Sequence, residues 1–167
     1  MVTMKSFNSF NIRQLQAYAG LCLWQFCNHF DIKHPLINEL ILHLVRILIT
    51  SSLPDWEQDG ASLAITGRGD SLPVGVLEIL APDNLDIFNS LVENCVEVGI
   101  VDMYGAPSDQ PMTFLEQSIK ILTSSGVKPP PSEMLMKYKR GLGVWGEPVD
   151  ESELKEMLDA YGVNLPN

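Results

Sequence analysis

From Pro35 to Leu48 the chain places Leu36, Ile37, Leu40, Ile41, Leu44, Val45 and Leu48 at three- and four-residue steps, with Glu39, His43 and Arg46 as a narrow polar strip. That spacing is the period of an α-helix, and a helix apolar around most of its circumference has to be enclosed by other elements. Pro35 suits the first turn, where a missing N–H costs nothing. The pattern therefore predicts a central helix with the rest of the fold built around it. The longest apolar stretch, Leu40–Ile49, is broken by His43 and Arg46 and is too short to span a bilayer.

The neighbouring segments have the same period. Ile12, Leu15, Ala19, Cys22, Leu23 and Phe26 mark a helix that Ser9 or Asn11 can cap, joined to the next by the short loop Phe30–His34. Ser51–Asp59 reads as a loop entering a short helix. After Pro82, with Asp83 or Asn84 as cap, Leu85, Phe88, Leu91, Val92, Cys95 and Val98 predict a helix ending at Gly99. Pro111 opens another, with Phe114, Leu115, Ile119 and Leu122 buried and Gly126 as its stop. Pro129–Pro131 imposes an extended passage, Ser132–Arg140 a short basic helix, and residues 141–149 a flexible glycine-rich connector. Asp150 then begins a last helix, with Glu153 placed as in a capping box. Residues 62–80, punctuated by Gly67, Gly69, Pro73 and Gly75, are expected to form one small β-hairpin, a helix-loop-helix reading being nearly as good. The expected fold is mainly α: a helical bundle in a single domain over residues 1–167, large enough to need no staple.

Few residue groups suggest chemistry. Gly141, Gly143 and Gly146 match GxGxxG, but no buried strand precedes them, and Lys137-Tyr138-Lys139-Arg140 stands where it should be. Cys27, His29, Asp31 and His34 gather four ligand types without the spacing of a common zinc module, so helix-end roles are expected and no metal or cofactor is assigned. Glu39 and His43 share a helix face, which keeps a small enzyme with a helix-borne His/carboxylate site as an alternative. Arg68-Gly69-Asp70 is read as a solvated glycine turn. Cys22, Cys27 and Cys95 are odd in number and lie in apolar runs, which predicts free thiols in a reducing, cytoplasmic setting. Met1–Phe10 has no apolar core of the signal-peptide kind.

Charge is the strongest functional signal. Twelve acidic side chains lie between Ile47 and Glu116 against one base, Arg68, so this segment carries −11 in a chain whose net charge is −10. Nucleic acids and anionic lipids are polyanions that bind through Lys and Arg, so neither is expected as a partner; a basic protein is the natural complement. Two aromatic-acidic clusters are the candidate partner-binding residues: Asp55, Trp56, Glu57 and Asp59, and Asp102, Tyr104 and Asp109. An exposed ring among carboxylates supplies contact area while the acids steer association. The expected function is non-catalytic protein binding, an acidic inhibitor of the immunity-protein or antitoxin kind covering a basic surface. A helical adaptor without inhibitory action is the other alternative.

Overall fold

The computed structural model describes residues 2–166, and among them there is no strand. Seven α-helices follow one another: α1 Ile12–His29, α2 Pro35–Val45, α3 Leu53–Ala61, α4 Val74–Ile79, α5 Pro82–Ile100, α6 Gln110–Ser124 and α7 Glu151–Ala160. Short 3-10 turns at Met4–Phe7, Arg46–Leu48 and Glu133–Tyr138 complete the helical content. Among the described residues, no helix is long and apolar enough to cross a membrane.

The central helix is α1 and not α2. Every residue from Ile12 to Leu23 is buried, and α1 packs against α2, α5 and α6. Hydropathy hides this position, because the polar flank of α1 is buried too and is satisfied by backbone from distant segments. Gln16 donates to the Cys95 carbonyl at 2.8 Å and accepts from the Gly99 N–H at 2.8 Å. Gln14 donates to the Leu135 carbonyl at 2.9 Å. Arg13 donates to the carbonyls of Ile47, Thr50 and Trp145 at 2.6, 2.8 and 3.0 Å. Burying such groups is tolerated only because each finds its partner. Asn11 caps α1 through the Gln14 N–H, with Gln14 returning the bond as in a capping box.

Two element boundaries differ from expectation, and one expected cap is formed in half. Pro82 occupies the first turn of α5 after Ala81, so neither Asp83 nor Asn84 caps it. Gly99 does not end α5: it lies inside the helix, where an added Cβ would stand 2.5 Å from Gln16 Oε1, so its role is close packing against α1. Asp150 caps α7 through the Glu153 N–H at 2.8 Å, while the Glu153 carboxylate turns to Arg140 at 2.6 Å instead of closing the box.

The hairpin expected at 62–80 is absent. From Leu72 on, the buried positions are Leu72, Val76 and Leu80, four apart, and Pro73 starts α4 by accepting from the Val76 and Leu77 N–H groups at 3.0 Å. That period belongs to a helix. Gly67 packs against α5, where an added Cβ would meet Val96 Cγ2 at 2.6 Å, so the chain hugs that helix here instead of pairing with itself.

The 141–149 segment, expected as a glycine-rich connector, forms a hydrogen-bonded turn. Gly141, Gly143 and Gly146 all have positive φ, and the turn closes by the Glu147 N–H on the Arg140 carbonyl at 2.8 Å. It is fastened to the start of α1, whose Ile12 N–H donates to the Val144 carbonyl at 2.7 Å. Pro129–Pro131 lies outside any helix, with Tyr18 donating to the Pro130 carbonyl at 2.6 Å and Tyr161 to that of Pro131 at 2.5 Å.

Candidate functional site

Helix α3 starts at Ser52, whose hydroxyl accepts from the Asp55 N–H at 3.3 Å, with proline in its first turn. Trp56 and Gly60, four apart, form its inner face against α2. The Trp56 indole N–H donates to the His43 carbonyl at 2.8 Å, and the two rings stack 4.7 Å apart at an interplanar angle of 6°. Gly60 permits this approach, since a Cβ there would lie 2.6 Å from His43 Nε2. Trp56 is thus 5% exposed and serves as core, whereas an exposed anchor was expected.

Glu57, one residue on, points toward the 62–73 loop. Its carboxylate pairs with Arg68, which also donates to the Glu57 carbonyl at 3.0 Å. The loop holds Arg68 there: Thr66 Oγ1 donates to Asp70 at 2.6 Å and accepts from the Arg68 N–H at 3.2 Å. The Arg-Gly-Asp turn is therefore not simply solvated; its arginine is half-buried and engaged. Tyr104, 72% exposed, donates to Glu57 Oε2 at 3.2 Å. This bond brings the two aromatic-acidic clusters together at one place.

The other expected site residues separate. Asp55 and Asp59 are exposed on α3, and Asp109 is exposed just before α6. Asp102 is buried and accepts from the Ser108 N–H and hydroxyl at 2.7 Å each, so it organises the Tyr104 loop.

Beside Arg68 lies a groove of about 550 Å³ whose walls include Glu93, Asn94 and Glu97 of α5, with Ile100 and Phe114 as apolar ground. Burial raises the Glu97 carboxyl above the usual carboxylate range, and Arg68 opposes the shift. These residues were missed in the sequence. The available signal was the polar face of α5: Asp83, Asp86, Ser90, Glu93 and Glu97 follow at three- and four-residue steps, a stripe as regular as the apolar one.

The groups expected for other chemistries disperse. His43 is pushed down to about 4 by burial and Arg68, against the pull of Asp59, and is neutral at pH 7. Arg46, its neighbour on the polar strip, bonds Glu151 of α7 at 2.9 Å, and Glu39 lines a separate groove with Leu42, Leu165 and Pro166. His34 caps α2 by accepting from the Leu36 N–H at 3.2 Å, His29 packs on Phe30, Asp31 pairs with Lys33 at 3.0 Å, and Cys27 is buried. Among the described residues, no three His, Cys, Asp or Glu side chains converge to hold a metal. Burial pushes the thiols of Cys27 and Cys95 up to about 12 and that of Cys22 upward as well, so none is a thiolate nucleophile near neutrality.

Comparison of the chain with protein-family models, with curated proteins and with solved structures gave no match.

Proposed function

We propose that this chain is a non-catalytic, acidic protein-binding domain whose partner presents a basic surface, and that it acts as an inhibitor of the immunity-protein or antitoxin kind. One observation carries the reading. Of the twelve carboxylates between Ile47 and Glu116, only Glu57 and Glu116 stand within ion-pair distance of a cation among the described residues, while Lys33, Arg46, Lys137 and Arg140 pair with carboxylates outside this segment. A field of one sign, left unneutralised by its own fold, speeds association with a cation-rich partner. The Tyr104–Glu57–Arg68 contact supports a seat within that field, with exposed Asp55, Asp59 and Asp109 as steering charges. A reducing, cytoplasmic setting belongs to the same proposal, and the buried free thiols fit it.

The test is recovery of the partner from the native host, then association kinetics at several salt concentrations. Asp55→Lys with Asp59→Lys is expected to slow association about tenfold at low salt without change in folding. Glu57 is left intact in this variant because it holds Arg68 in place. Loss of the partner's activity on binding separates an inhibitor from an adaptor. A neutral partner bound without salt dependence overturns the reading.

A further inference from the structure

We propose that the furrow between α5 and α6 seats a basic amphipathic helix of the partner, lying along the seam as a third helix; the inference rests on the reading of the chain as a binder of basic proteins. Two hollows mark the seam, the groove beside Glu93 and Glu97 and a second of about 400 Å³ beside Asp86, Ile87 and Ile121. They open on the same side of the helix pair. On α5 their lining includes 86, 90, 93, 97 and 100, and on α6 with its C-cap 114, 121 and 125, residues that share one face of each helix. The result is one furrow running from Asp86 to Ile100, about 21 Å or roughly four turns of helix.

Its chemistry selects the occupant. The floor is apolar and only half-covered: Ile87, Ile100, Phe114 and Ile121 all keep partial exposure. The rim carries Asp86, Glu93 and Glu97, none within ion-pair distance of a cation among the described residues, while the two bases at the ends are engaged, Arg68 with Glu57 and Lys120 with Glu116. An apolar floor between carboxylates complements a helix with an apolar face flanked by Lys or Arg. An extended segment suits it less well, because the furrow has no strand edge to receive backbone N–H and C=O groups, whereas a helix satisfies its own. Side-chain ridges of an incoming helix can pack into the trough between two others.

The probe is a fluorescein-labelled synthetic peptide of about fourteen residues, Leu at three- and four-residue steps and Lys on the flanks, compared with a scrambled peptide of the same composition. Binding to the full chain is followed by fluorescence anisotropy at low salt, and its position by amide chemical shifts. The patterned peptide is expected to bind about tenfold tighter than the scrambled one and to shift amides within 86–100 and 114–125. Asp86→Asn with Glu93→Gln and Glu97→Gln is expected to cost about tenfold in affinity with the circular dichroism spectrum unchanged, and Ile121→Ser to weaken the patterned peptide alone. Equal binding of the two peptides, or shifts confined to α3 and the Tyr104 loop, overturns the furrow while leaving the basic-partner reading standing. Failure of both basic peptides to bind overturns both.

Discussion

His43 lies with its imidazole stacked on Trp56 and largely buried, with Asp59 favouring its charge and Arg68 opposing it. Unfolded, an imidazole titrates near ~6.5; folded, this one takes its proton only near about 4. Between those values the unfolded chain binds more protons, so stability rises with pH across that window. The contribution is complete above pH ~6.5 and is lost as pH falls toward 4. Urea midpoints at pH 4, 5, 6 and 7 are expected to fall more steeply on acidification for the native chain than for His43→Gln, and parallel curves would remove the claim. The sequence shows His43 on a polar strip, but whether such a strip meets water or another helix depends on α3, which Trp56 and Gly60 bring within ring-stacking distance.

Between elements, the decisive contact is that of α1 with α5. Gln16 reaches into α5, bonding the Cys95 carbonyl and the Gly99 N–H, and Gly99 leaves the room it needs. Gly99→Ala is expected to destabilise by about 1–3 kcal/mol through the forced contact, and Gln16→Ala by a similar amount through the empty space and lost bonds. In the double variant the new methyl group occupies space vacated by the glutamine, so its destabilisation is expected to be smaller than the sum of the two single costs in a double-mutant cycle of denaturant unfolding. Simple additivity would show that the contact is not tight. Helix positions were legible because burial imposes the 3.6-residue period on Leu, Ile, Val and Phe. The meaning of Gly99 was not: a glycine near a helix end reads as a stop unless its neighbour across the interface is known. The 62–80 segment misled for a related reason. Its glycines permit a hairpin turn, but the buried spacing of Leu72, Val76 and Leu80 and the approach of Gly67 to Val96 decide the outcome.

For the whole molecule, an unneutralised field costs stability by self-repulsion and is screened by salt. The melting temperature is therefore expected to rise between low salt and about 0.5 M sodium chloride, and to rise less in Asp83→Asn with Asp86→Asn and Glu93→Gln. Equal salt responses would place the repulsion elsewhere. By itself the sequence determined the helical class, most helix positions and the one-signed charge of residues 47–116, because hydrophobic period and charge are properties of local strings of residues. Tertiary structure alone decided that α1 is central, that Trp56 is core, that Glu57 meets both Arg68 and Tyr104, and that the acidic stripe of α5 borders a furrow with α6. Each of these depends on which faces of distant helices meet. The hydrogen-bond partners that make a buried Gln16 or Arg13 tolerable lie 34 to 132 residues away along the chain.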